Sequence, residues 1–138
     1  MTDLVQYINP PGTAPAQGNY SHATRVKSGD LYYISGQLSV DGDGNVVGKG
    51  DFEAQFKQVF SNMKDVLKGL GIGFDHIVKF NTYFVHSQDI DAFMRLRREH
   101  FKTFFRTEKY PPNTIAVIDR LVKEDFLFEV EAVARAAD

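Results

Sequence analysis

Hydrophobic positions along this chain recur with two periods, and the switches between them divide it into elements. From Asp51 onward Phe52, Phe56, Val59, Phe60, Met63, Val66, Leu67 and Leu70 return every three or four residues. That spacing predicts a helix with one apolar stripe, stopped by Gly69, Gly71 and Gly73. A second stripe, Ile90, Phe93, Leu96, His100 or Phe101, then Phe104, follows Ser87-Gln88-Asp89. Ser87 or Asp89 is placed there to accept a hydrogen bond from the first helical N–H groups. Between the helices Val78, Phe80, Thr82 and Phe84 alternate with Lys79, Asn81, Tyr83 and Val85, the pattern of a half-buried strand. Tyr20 to Val26 and Leu31 to Ser35 read as two strands about a Ser28-Gly29-Asp30 turn. Pro111-Pro112 forbids helix and leads into a strand from about Thr114 to Ile118. The last strand runs from about Phe126 to Ala134, with Phe126, Phe128, Val130 and Ala132 on one face and Leu127, Glu129, Glu131 and Val133 on the other.

Strands, helix, strand, helix and two strands in that order predict an α+β domain, one mixed sheet with two helices packed on a single face. Residues 1–138 are read as one domain, with 1–17 an extended N-terminal segment rich in proline after Asn9. The sheet's other face carries Lys79, Asn81, Tyr83, Glu129 and Glu131 among apolar residues. Such a face is expected to pack against further copies of the chain and to leave polar clefts between them.

Composition narrows the chemistry. The formal net charge of −2 and the balanced charged residues argue against a nucleic-acid surface, which needs a basic face. No apolar run reaches the ~18 residues that cross a membrane, and Met1-Thr2-Asp3-Leu4 lacks a signal-peptide layout, so a cytoplasmic protein is expected. The absence of cysteine removes disulfides, thiolate catalysis and thiolate zinc sites. The four histidines have no metal-ligand spacing, and Asp41-Gly42-Asp43-Gly44-Asn45 lacks the glutamate of a calcium loop, since position 52 is Phe52. Neither a metal nor an organic cofactor is expected.

Several segments together carry a resemblance. Gly18-Asn19-Tyr20-Ser21-His22-Ala23, Ile34-Ser35-Gly36-Gln37-Leu38, Val47-Gly48, Asp75-His76-Ile77-Val78-Lys79, Pro111-Pro112-Asn113-Thr114 and Glu129-Val130-Glu131-Ala132-Val133-Ala134 occur in this order and spacing. Over residues 18 to 134 the chain resembles the YjgF/Rid (reactive intermediate deaminase) family. The resemblance implies a bacterial chorismate mutase-like fold and a homotrimer with three clefts between subunits. It also implies hydrolysis of short-lived, carboxylate-bearing imines or enamines to a keto acid and ammonia, without a cofactor. Family roles fall on Tyr20, on Ser35 and on Glu129, the residue that positions or activates water. Asn113 stands where active members carry a carboxylate-binding arginine. An amide offers no charge and no planar fork, so carboxylate binding there is expected to weaken by about 1.5–3 kcal/mol. A gapless alignment of the second helix places Arg97 where the family often has asparagine, so the two residues are exchanged across one pocket.

Read from the residues alone, other roles remain open. Tyr20 can be a packing residue, Ser35 can satisfy backbone groups at a bend, and Arg97 can belong to a solvated run with Arg95 and Arg98. Glu129 and Glu131 share a strand face about 6.5–7 Å apart, suited either to acid–base work or to interface bonds. The expected activity is a deaminase with Glu129 and Tyr20 catalytic, and with Ser35, Asn113, Thr114 and Arg97 holding the substrate. A keto-acid sensor with the same cleft, or an RNA-cleaving protein, are the alternatives.

Overall fold

Asp51 starts helix α1 (Phe52–Gly69) by accepting a hydrogen bond from the Ala54 N–H at 3.1 Å, and Glu53 in the first turn suits the positive end of the helix dipole. Its stripe, Phe52, Phe56, Val59, Phe60, Met63 and Leu67, is buried as the spacing predicts. The computed structural model describes residues 4–138. Strands β1 (Val5–Ile8), β2 (Ala23–Val26) and β3 (Leu31–Gln37) precede α1; β4 (Ile77–Phe84), α2 (Asp89–Phe104), β5 (Asn113–Val117) and β6 (Phe128–Arg135) follow it.

The main sheet is mixed and four-stranded, in the order β3-β6-β4-β5, with β6 antiparallel to β3 and β4, and β5 parallel to β4. Both helices bury their stripes on one face of it, where Phe80, Phe84, Phe128, Val130, Ala132 and Ala134 complete the core. β1 and β2 form a separate antiparallel ladder rather than joining that sheet. β1 lies within the segment expected to be an extended arm, of which residues 1–3 fall outside the described residues. Two hydrogen bonds tie the ladder to the start of β4: the Tyr7 hydroxyl donates to the Ile77 carbonyl at 2.8 Å, and Thr24 Oγ1 to the Val78 carbonyl at 2.7 Å.

Two details differ from expectation. The start of α2 has no side-chain cap: Gln88 occupies the N-cap position, and backbone turns from His86 and Ser87 close it. Asp89 lies inside the first turn, and burial raises its carboxyl above the ordinary aspartate value. In β4 an irregularity between Ile77 and Lys79 puts Ile77 in the core and leaves Val78 half-buried.

Gln55 holds the loops around the sheet's open end. Fully buried, it donates through Nε2 to the carbonyls of Gly48 (3.1 Å) and Asp125 (2.9 Å) and accepts from the Leu127 N–H at 2.9 Å. Replacing it with leucine keeps the volume and strands three backbone groups. Gln55→Leu is expected to destabilise the fold by about 3 kcal/mol, read as a lower urea midpoint with an unchanged slope.

Candidate functional site

The residues singled out by sequence fall into two groups on one chain. The first surrounds a groove of about 440 Å³ between the β2 segment and the start of β5. Tyr20, His22, Lys79, Pro112, Asn113 and Thr114 contribute to its wall. Pro111-Pro112 delivers β5 here because neither proline can continue a helix, and Asn113 pairs with Phe80 on β4. Tyr20 lies ahead of β2 rather than in a strand, at the end of a turn closed by Tyr20 N–H donating to the Gly18 carbonyl at 2.9 Å. Its hydroxyl accepts from the Gln17 N–H at 3.0 Å. Asn113 Oδ1 accepts from the buried Thr82 hydroxyl at 2.8 Å, so its acceptor is committed to the protein and its NH₂ is what remains for a ligand.

Arg97 borders this group from beneath. It is 1 % exposed, unlike its neighbours Arg95 and Arg98, which face solvent. The guanidinium lies 4.9 Å from the Phe93 ring centre and 5.9 Å from that of Tyr20. Nη2 donates to Met94 Sδ at 3.2 Å, while Nε and Nη1 have no hydrogen-bond partner. Burial lowers its pKa to about 10, which leaves it a cation at neutral pH.

The second group lies on the sheet face away from the helices. Glu129 and Glu131 project there from β6, beside Tyr83 and Asn81 on β4. The Tyr83 hydroxyl donates to Glu131 Oε1 in a short hydrogen bond, and that bond raises the phenol's pKa. Glu129 Oε2 lies over Gly36, where an added Cβ would come within 1.7 Å of it. Glycine at 36 therefore makes room for the carboxylate. Ser35 is the preceding residue on β3, exposed, at an irregularity between Ile34 and Gln37. Burial first, and the Glu131 charge second, raise the Glu129 carboxyl above the ordinary glutamate value.

β4 separates β5 from β6, and Glu129 lies two residues along from the position level with Thr114, so the two stand about 12 Å apart at normal strand spacing and rise. Tyr20, Asn113 and Thr114 are thus brought together, Arg97 reaches Tyr20 from below, and Ser35 with Glu129 forms a distinct patch. Sequence reasoning missed Gly18 and Met94, which cover and contact Arg97. The spacing of Arg97, four residues after Phe93 on the buried stripe, was the available signal for its burial. Among the described residues no group of three or more His, Cys, Asp or Glu is arranged to hold a metal, and no helix is long and apolar enough to cross a membrane.

Residues 11–136 match the family model described as Endoribonuclease L-PSP, and the chain belongs to this family, the YjgF/Rid proteins. A RutC family protein of Saccharolobus solfataricus is 37 % identical over 119 residues, 86 % of this chain and 87 % of that protein. A human protein named 2-iminobutanoate/2-iminopropanoate deaminase is 29 % identical over 135 residues, covering 97 % of this chain and 93 % of its own. The crystal structure of a Rid family protein of unknown function from Yersinia pestis superposes with a TM-score of 0.85 at 28 % identity, covering 96 % of this chain and 98 % of that one.

The raised Glu129 carboxyl has a consequence for stability. Its folded-state pKa lies above the unfolded one, so folding favours the protonated form. That contribution is present at low pH and is lost as pH rises past the ordinary glutamate value of about 4.3 and through the folded value. Glu129→Gln is therefore expected to melt at or above the wild-type temperature at pH 7, with the difference vanishing near pH 4, by differential scanning fluorimetry.

Proposed function

We propose that this protein is a cofactor-independent deaminase that hydrolyses an imine or enamine intermediate to a carbonyl compound and ammonia. The observation that carries the reading is Glu129: a half-buried carboxylate, its pKa raised, held beside Ser35 on an otherwise open sheet face. Membership of a family that includes a human 2-iminobutanoate/2-iminopropanoate deaminase supports it.

In this reaction Glu129 takes one proton from water as the water attacks the imine carbon, and returns it to the nitrogen that receives the C=N π electrons, which gives a neutral carbinolamine. Glu129 then takes the hydroxyl proton as C=O forms and the C–N bond breaks, and passes it to the departing nitrogen, which leaves as ammonia. A raised pKa makes the Glu129 carboxylate a stronger base than an ordinary glutamate. Ser35 and Tyr20 shape the site and orient the substrate, with the Asn113 amide and Thr114 as neutral donors. Association as a homotrimer would bring the Tyr20 groove of one subunit to the Glu129 patch of another. Tyr33, 79 % exposed, with Leu31 and Val133 beside it on the outer face, suits that burial.

A second reading, a binding protein for keto acids, is favoured by Asn113. Its oxygen is committed to Thr82, and it brings no charge to orient a substrate.

Ammonia release from freshly generated 2-iminopropanoate separates the two. The wild type is expected to accelerate it over buffer and Glu129→Gln to slow it by about 10²–10⁴-fold. The rate should rise with pH through a value above the ordinary glutamate range, and Glu131→Gln should move that limb down, because one of the two causes of the shift is removed. Absence of acceleration together with pyruvate binding would select the binding protein. A sedimentation mass of one chain would remove the trimer.

A further inference from the structure

Among the described residues Arg97 is the largest fully buried side chain and also the one whose hydrogen bonding is least complete. Guanidinium groups inside proteins are ordinarily matched by carboxylates or backbone carbonyls. Here one nitrogen touches a thioether, a weak acceptor, and two have no partner. The Phe93 and Tyr20 rings offset part of the charge burial through their faces but leave the N–H edges unused.

The cover over these edges is a turn. An added Cβ on Gly18 would lie 2.5 Å from Arg97 Nη2 and 2.6 Å from Met94 Cε, so glycine lets the turn lie down on the guanidinium without displacing these side-chain ends. The turn is exposed at Gln17 and Gly18, half-buried at Asn19 and Tyr20, and closed by its own short-range bonds, Tyr20 N–H to the Gly18 carbonyl and Gln17 N–H to the Tyr20 hydroxyl. Tyr20 belongs both to this cover and to the groove wall with Pro112 and Asn113. A ligand lying in the groove and displacing Tyr20 would therefore meet Arg97. The groove wall includes Lys79 and His22 and no carboxylate.

Resting on the deaminase reading, we infer that Arg97, beneath the Gly18–Tyr20 turn, is the carboxylate anchor of this protein, and that its ligands are small monocarboxylates entering through the groove beside Asn113. The guanidinium supplies charge and fixed donors to the carboxylate, and Asn113 supplies a neutral donor at the groove wall. The turn shifts to admit the ligand and closes over it. Arg97 holds a place in the structure that packing alone would give to an apolar residue.

Two measurements on the intact protein test this. Calorimetric titration with 2-oxobutanoate should show binding that weakens by at least about 10-fold in Arg97→Gln, while the uncharged amide of the same keto acid binds both proteins equally weakly. Thermal unfolding of Arg97→Met, with no ligand, should occur at or above the wild-type temperature, since an unmatched buried charge is replaced by an apolar chain. Gly18→Ala, which leaves Arg97 in place, should also weaken 2-oxobutanoate binding by forcing the turn off the guanidinium. Unchanged 2-oxobutanoate affinity in Arg97→Gln overturns the inference even where imine turnover persists. A lower melting temperature in Arg97→Met does so too, because it marks a structural partner for the charge, such as a carboxylate of a second copy. Arg97-dependent binding without turnover of 2-iminopropanoate leaves the anchor standing and removes the deaminase.

Discussion

The packing of Phe128 is the constraint on which the rest of the structure depends. Its ring lies 5.2–6.2 Å from those of Phe52, Phe56, Phe60, Phe84 and Phe93, so one β6 side chain touches both helices and the neighbouring strand. Offset and edge-on rings at these distances add favourable quadrupole contacts to the apolar area that they bury. β6 is also bonded on both sides, to β3 and β4. With the inner row of Phe128, Val130, Ala132 and Ala134 fixed, the two-residue period sends Glu129 and Glu131 to the opposite face. A one-residue slip would bury both carboxylates against phenylalanine. The position of the candidate base is thus set by core packing rather than by contacts of its own.

Polar groups inside the fold are matched with care, which gives the exceptions their meaning. Gln55 satisfies three backbone groups, Asn62 donates to the Leu38 and Val40 carbonyls, and Arg135 is bound to the carbonyls of Lys27, Ser28 and Ala136. Arg135 and Arg97 are both buried arginines, yet only the first has oxygen partners. A chain that equips one guanidinium with oxygen acceptors and leaves the other on a thioether is not short of acceptors. The unmatched donors of Arg97 are the groups that the proposed carboxylate would complete.

The helices and the inner and outer rows of β4 and β6 were legible in the sequence because each carries a long, single-period pattern. β1 was not. Four residues beside a proline-rich segment give too short an alternation, and the strand is held by pairing with β2 and by the Tyr7 hydroxyl, which are distant in sequence. The same holds for the shift at Ile77, where an irregularity in the ladder changes which side chain faces the core. At the candidate site, residue types were readable and their grouping was not. Arg97 looks like part of a charged run in the linear sequence, and only the helical period through Phe93 and Phe101 places it inward. That Asn113 would be tied to Thr82 depends on the parallel pairing of β5 with β4, a contact between segments 31 residues apart.

Two ionisable groups therefore sit in surroundings that disfavour their charge: Arg97 under the Gly18 turn and Glu129 over Gly36. In each case a glycine makes the burial sterically feasible, and in each case an apolar or neutral residue would suit the isolated fold better. They carry opposite charges and lie on opposite sides of the sheet, the cation on α2 beneath Tyr20 and the anion on the outer face of β6. In the proposed trimer the cation of one subunit would face the carboxylate of the next, the polarity suited to a substrate with a carboxylate at one end and an electrophilic C=N carbon at the other. On the proposed reading, neutral Asn113 on the groove wall would serve as a donor rather than as a lost anchor. The cost of each disfavoured charge falls on folding, and under the proposed function it is offset when ligand and water occupy the site.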